Sequence, residues 1–523
     1  MKRILIISPH YPPSNLAAVH RTRLFAQHLP SFGWEPIILT VHEDFYEEQL
    51  DWELHSLLPK EQRIEKVSAY KISSPRLIGD IGLRAFFQLR KRALELVKSE
   101  KIDFVYIPIP SFYTALIGPY LFKKTGVPYG IDYIDPWVHQ FPGSNKLFSR
   151  HWFSTQLAKI LEPIALKYAS LITGVSEGYY TPVLDRNPHL KKQAITAAMP
   201  YGGEVLDHEY VRRDVRREML DVRADVRRES RDVGPEDMQH ETFNYSTLQP
   251  LQLSSTLQLS STLQPPQPPS TFRFVYAGTL LPKAIKPLEQ IFIALSNLYN
   301  TSTPSTPSTS STPSTSLNLS KPIASTPSTS STPSTSLNLS KPIASTPPTS
   351  STPSTSLNLS KPIASTPSTF LFIGTSNKVK QLAEKYGLWN SIVFEYPDRI
   401  PYLEVLKNLE AADGIFILGS TEPHYTPSKV YQAVLSKKPI LAVLHENSSA
   451  VDIIRDSKAG IVVTMNGEED LNTLGTRFIN DLESYMLWTK SFDPAAVNKQ
   501  AFEPYTAKSV TKVLVDALNK LIK

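Results

Sequence analysis

The 523-residue chain contains no cysteine. Disulfides, thiolate zinc sites and a cysteine nucleophile are therefore excluded, and the composition fits a reducing compartment. Long apolar runs are lacking too. Between Met1 and Pro13 only Ile4, Leu5, Ile6 and Ile7 run together before Pro9, Pro12 and Pro13. That is far short of a secretory signal or a membrane span, and no later window reaches the ~18 apolar residues a spanning helix needs. A large excess of one charge is also missing. The formal net charge of +6 is mild for this length. It argues against a nucleic-acid protein and leaves room for anionic ligands or an anionic membrane surface. A soluble cytoplasmic protein is expected, either free or peripheral on the inner membrane face.

Proline, by contrast, is abundant, with 44 residues, and much of it lies in two low-complexity segments. From Val211 to Val233 the chain is a degenerate repeat of Arg, Asp and Val whose eight arginines and six acidic residues nearly cancel. It could form a charged helix through i,i+4 pairs, but with almost no apolar face a solvated segment is the better reading. It runs into a Gln-, Ser- and Pro-rich tract ending near Pro269. The second segment, 301–369, repeats STPSTSLNLSKPIASTPSTS with a period of 20 residues. Each copy offers only two leucines and an isoleucine, such as Leu317, Leu319 and Ile323. That apolar surface is too small to offset the ordering of the backbone, so disorder is expected. Surface loops accept such additions at little cost.

Outside these segments strands and helices alternate. Arg3–Ser8, Pro36–Val41, Phe104–Ile109, Pro128–Ile134 and Leu171–Gly174 read as strands with helices between them. A second series follows: Phe272–Ala277, Phe370–Ile373, Ile392–Glu395, Gly414–Leu418, Ile440–Leu444 and Gly460–Val463. This pattern predicts an α/β protein with two Rossmann-like, doubly wound domains facing across a cleft. The expected divisions are a first domain over 1–205, an insertion or linker over 206–270, and a second domain over 271–485 interrupted at 301–369. A helical tail, 486–523, would pack back on the first domain, with Thr506 capping its last helix.

The stretch from Thr426 to Leu444 carries the most specific chemistry. Pro427, Ser428 and Lys429 open a helix whose first amides lack intrahelical partners. A helix start with a hydroxyl and an ammonium suits a phosphate. The alternative is an ordinary helix start with Pro in its first turn.

Several stretches together resemble the family-4-like (group 1) glycosyltransferases of GT-B architecture. They are Ser8-Pro-His-Tyr-Pro-Pro13 with Arg21, Leu24 and Leu29; Gly33 to Thr40; Asp135-Pro-Trp137; Ile172 to Glu177; Phe274 to Thr279; the Pro427-Ser-Lys429 helix; and Ala459 to Val463. The resemblance covers both domains and breaks only at the two insertions. It implies a retaining, metal-independent hexosyltransferase with no cofactor beyond its nucleotide diphosphate sugar, acting on a glycan or lipid-linked acceptor in polysaccharide biosynthesis. It implies donor binding by Gly278, Lys283, Lys286, His424, Ser428, Lys429 and Gln432, and catalytic roles for Asp135, Glu422 and Lys286. Arg21, His139 and Ser176 would face the acceptor or reach across the cleft.

The chain departs from the family in two places. Where the family often carries two glutamates eight positions apart, this sequence has His424 and Gln432, with Glu422 close enough to take the sugar-facing role. The glycine-rich loop after the first strand appears as Ser14-Asn-Leu-Ala-Ala18, without glycine. A non-catalytic sugar-nucleotide or glycan-binding module is therefore a second reading, and a sugar-nucleotide epimerase a third. The Leu83–Glu100 stretch, basic and amphipathic, could lie on an anionic membrane or pack on its own sheet.

Overall fold

The computed structural model describes residues 1–72, 79–138, 146–217, 271–301 and 368–522. The 20-residue repeats, residues 218–270 and His139 lie outside the described residues.

Two wholly parallel sheets organise the chain. The first has the order β3-β2-β1-β4-β5-β6-β7, formed by β1 (Lys2–Ile7), β2 (Trp34–Val41), β3 (Arg63–Val67), β4 (Phe104–Ile109), β5 (Tyr129–Tyr133), β6 (Leu171–Gly174) and β7 (Ile195–Ala198). The second has the order β10-β9-β8-β11-β12-β13, formed by β8 (Phe272–Ala277), β9 (Ser368–Ile373), β10 (Val393–Tyr396), β11 (Gly414–Leu418), β12 (Ile440–His445) and β13 (Gly460–Met465). Both orders reverse direction once, at β1/β4 and at β8/β11, as doubly wound sheets do. The two expected Rossmann-like domains are present.

Strand alternation explains how each sheet is covered on both faces. Along β1, Leu5 and Ile7 join one core cluster while Ile4 and Ile6 join another, because successive side chains point to opposite faces. In the second sheet Val275, Leu371 and Ile415 line one face. The other face is aromatic, with Phe274 stacked on Phe370 at 4.7 Å.

The last helix, Ala507–Leu521, starts where Thr506 accepts the Ser509 amide. Its Val510, Leu514 and Leu518 sit in the core cluster of Ile4, Ile6 and Phe25 in the first domain. Trp34 Nε1 donates to Asn519 Oδ1 at 3.2 Å, which fixes the register of this return.

Residues 205–217 form a helix, which corrects the expectation of a linker beginning at 206 and of a solvated segment from Val211. Val211 is fully buried in the core of the second domain. Asp207 pairs with the buried Arg23 at 2.5 Å and accepts the Tyr402 hydroxyl at 2.9 Å. His208 Nδ1 lies 2.7 Å from Glu410, and Arg212 reaches the same carboxylate at 3.0 Å. Within the Arg/Asp/Val repeat itself, Arg212 and Asp214, which pairs with Lys407 at 2.8 Å, thus spend their charges on the second domain.

The Leu83–Glu100 stretch forms two helices, Ile81–Arg84 and Phe86–Ser99. Leu89, Leu96 and Val97 are buried, and Phe86 and Leu94 pack partly buried on the same core. Most of its apolar side chains thus cover the sheet, while Phe87 is exposed. No helix among the described residues is long and apolar enough to cross a membrane.

Candidate functional site

The carboxyl ends of β1, β4 and β5 and those of β8 and β9 open on one cavity of about 580 Å³. Both points of strand-order reversal border it, which is where doubly wound sheets place ligands. Ser8, His10, Asp80, Ser111 and Asp135 line the first-domain wall, and Gly278, Gly374, Ser428, Lys429 and Gln432 line the second-domain wall.

Lys429 is the chemical centre of the second wall. Its ammonium lies 3.7 Å from the centroid of the Tyr276 ring. It also packs against Gly278, whose φ is +133° and where a Cβ would stand 2.9 Å from Nζ. A Cβ at 278 would make the end of the Lys429 side chain shift, and the backbone angle is what requires glycine here. Among the described residues no carboxylate pairs with Lys429. Desolvation lowers its pKa from 10.5 to about 7, because protein surrounds the charge without neutralising it. The helix that carries it, Lys429–Leu435, has seven residues, and Ser428 at its N-cap makes no capping bond. In so short a helix the dipole is small, so the cationic side chains lining this wall, Lys429 and Arg399, matter more than the helix end emphasised by the sequence.

The other expected donor residues are arranged differently. Lys286 is 62% exposed and pairs with Glu468 at 2.6 Å, outside the cavity lining. Lys283 and Glu422 pair with each other at 3.0 Å and also lie outside the lining. His424 packs on Tyr179 of the first domain, with ring centroids 5.4 Å apart, and burial lowers its pKa. Gln432 lines the cavity, but its amide oxygen lies 3.1 Å from His208 Nε2. The position the family gives to glutamate is here tied to the helix 205–217.

On the first wall, Arg21 lines the cavity from within the first domain. It is fully buried, with Nε and Nη2 donating to Asp132 at 2.6 and 2.9 Å and Nη1 donating to the carbonyls of Met199 and Pro200. Thr173 donates to the same aspartate at 2.8 Å. Arg21 thus anchors the chain where it leaves the first sheet. Ser176 stands at the start of the helix Glu177–Arg186 without a capping bond and outside the lining.

Asp135 lies at the end of β5 on the cavity wall. Burial first, and then the Asp135 charge, pushes up the pKa of the Tyr179, Tyr201 and Tyr425 hydroxyls. These groups stay neutral donors beside it. Trp137, two residues on, stacks on Phe112 at 5.7 Å and holds the turn.

Sequence reasoning assigned no role to His10, Asp80 or Ser111. His10 Nε2 lies 3.7 Å from Glu48, and desolvation lowers its pKa despite that neighbour. Asp80 accepts the Leu83 amide at 2.7 Å and the Ser111 hydroxyl at 3.2 Å, and burial raises its pKa. His10 and Ser111 could have been found as the polar residues just past β1 and β4. Asp80 could not, since it comes from a loop outside the strand pattern. Arg399 joins the walls by donating to the Asn15 carbonyl at 3.1 Å.

No protein-family model and no curated protein matches the chain by sequence. Solved structures do match it in fold. HepE of Anabaena, solved in complex with UDP and glucose, superposes with a TM-score of 0.54 at 13% identity, covering 99% of this chain and 100% of that one. A glycosyltransferase from Rickettsia africae gives 0.53 at 13% identity, covering 100% and 99%. Sucrose-phosphate synthase of Thermosynechococcus elongatus gives 0.50 at 11%, covering 100% and 99%. The chain has the GT-B fold of these proteins.

Proposed function

We propose that the protein is a glycosyltransferase that moves a hexose from a nucleotide diphosphate sugar to a glycan or lipid-linked hydroxyl in polysaccharide assembly. The observation that carries this reading is Lys429: an ammonium with no carboxylate partner among the described residues, packed against a glycine, in a cavity between the carboxyl ends of two Rossmann-like sheets. A diphosphate supplies the missing charge. HepE, with the same fold, holds UDP, so a uridine nucleotide is the first donor to try.

In the proposed reaction the bond from the anomeric carbon to the β-phosphate oxygen breaks, and a bond to the acceptor oxygen forms on the same face. The acceptor proton passes to the departing phosphate oxygen. Charge builds on that phosphate, and a cation already aimed at it lowers the barrier. Lys429 supplies it, with the Ser428 hydroxyl as a further donor and no metal required. Asp135 and the Asp80–Ser111 pair form the wall from which an acceptor hydroxyl is oriented.

Hydrolysis of a panel of nucleotide sugars without acceptor tests the reading. Slow release of the nucleoside diphosphate is expected with one donor and unchanged by EDTA. Lys429→Ala should reduce it by about a hundredfold, the usual cost of losing one such donor, whereas Lys286→Ala should leave it intact. Donor binding without turnover across all acceptors would instead support a binding module.

A further inference from the structure

Six large apolar side chains lie open to solvent on one stretch of the first domain. Leu147 and Phe148 are 66% and 75% exposed, and Phe153, Leu157, Ile160 and Ile164 are 56%, 41%, 62% and 51% exposed. The last four follow one another at helical spacing on the Arg150–Leu166 helix, so they form a single stripe along it. The opposite side of this helix is committed to the core through Ala158, Ala165 and Leu166. Single exposed leucines are ordinary on protein surfaces; a continuous stripe of this size marks a contact surface.

The exposed charges on this helix and on the neighbouring helix Ile117–Thr125 have one sign. Glu162, the only acidic residue of the helix, is buried and held by Arg186 through two bonds of 2.9 Å. Lys146, Lys159 and Lys167 are exposed. Lys123 of the neighbouring helix Ile117–Thr125 lies with Lys167 against the Tyr168 ring, at 5.7 and 5.6 Å. Phe148, at the head of the stripe, has a φ of +62°, a conformation bulky residues rarely adopt. Its ring meets Trp152 at 5.6 Å.

We propose that this face docks on an anionic lipid bilayer, with the apolar stripe entering the headgroup boundary and the lysines meeting lipid phosphates. Charge selects this occupant over a second copy of the chain. A two-fold pairing of the stripe with itself would bring the same lysines together, whereas a bilayer supplies the opposite charge. The inference stands apart from the proposed reaction, since docking needs nothing from the cavity.

Flotation of the full chain with vesicles of equimolar phosphatidylcholine and phosphatidylglycerol at low salt tests it. The protein should rise with these vesicles and not with phosphatidylcholine alone. Leu157→Glu/Ile160→Glu should abolish flotation, whereas Leu487→Glu, at a site 68% exposed on the second domain, should leave it intact. Lys159→Gln/Lys167→Gln should weaken partition about fivefold for each lysine removed. That variant keeps the stripe, so it reads out docking even if the glutamates disturb the helix. Absence of the wild-type protein from the floating fraction would overturn the proposal. So would flotation that ignores both variants, or light scattering that shows a dimer which the glutamate variant makes monomeric.

Discussion

Lys429 sits where its neutral form is favoured, and this has consequences for ligand binding and for folding. In the free protein its proton is held only up to about pH 7. A bound diphosphate favours the ammonium, so above that pH binding must take up a proton. Affinity for a nucleotide diphosphate sugar, whose phosphates do not titrate here, should be flat below about pH 7. Above it, affinity should fall toward tenfold per pH unit. Calorimetry in buffers of different ionisation enthalpy would read the proton uptake, and Lys429→Arg should flatten the profile by keeping its charge. The stability of the ligand-free protein should move the other way. The unfolded chain holds this proton up to about pH 10.5 and the folded chain only to about 7. Folding therefore releases a proton between these values, and stability should rise with pH across that window relative to Lys429→Met. Below it both states are protonated and the difference is constant.

The strands best read from sequence are the buried ones. The inner strands of the second sheet (β9, β8, β11 and β12) and of the first (β2, β1, β4, β5 and β6) are mostly buried apolar runs, because a parallel sheet covered on both faces requires them. The two strands the sequence reading omitted, β3 and β7, form the edges of the first sheet. β3 reads Arg-Ile-Glu-Lys-Val, and its charges serve ion pairs. Arg63 bonds Glu65 and Glu100 at 2.9 and 2.5 Å, and Arg92 reaches Glu65 at 2.8 Å. An edge strand carries such charges against unwanted pairing, and the same charges hide its strand pattern. Arg21 shows the converse error. A lone arginine near a loop–helix junction looks available, yet here it is the partner of a buried carboxylate, Asp132, on β5. Arg21→Met should cost about 3–5 kcal/mol by leaving that carboxylate unpaired. Urea unfolding would measure it, and Arg21→Met/Asp132→Leu should recover much of the loss.

At the scale of the whole molecule, the last helix returns to the first-domain core and the helix 205–217 bonds Arg23 of the first domain and Tyr402 and Glu410 of the second. The second insertion belongs to a different category. The sequence reading ended it at Thr369, but β9 begins at Ser368 and lies between β8 and β10. Excision must therefore stop at 367. A chain with 302–367 replaced by a short Gly/Ser linker should keep its melting temperature within a few degrees and its donor affinity. Loss of solubility or of cooperative unfolding would show that the repeats contribute to the fold. The sequence by itself determined the layered α/β architecture, the two domains and the importance of the Pro427–Lys429 segment, because strand burial, helix periodicity and turn chemistry are local properties. It also held the apolar stripe from Phe153 to Ile164, but only as letters. Whether an apolar face meets a sheet or solvent, and whether a charged residue meets a carboxylate or a cavity, depends on groups far apart in the chain. Lys286 and Lys429 look alike in sequence. The fold sends one to Glu468 at the surface and sets the other against Gly278 and the Tyr276 ring, where it is desolvated and no carboxylate among the described residues pairs with it.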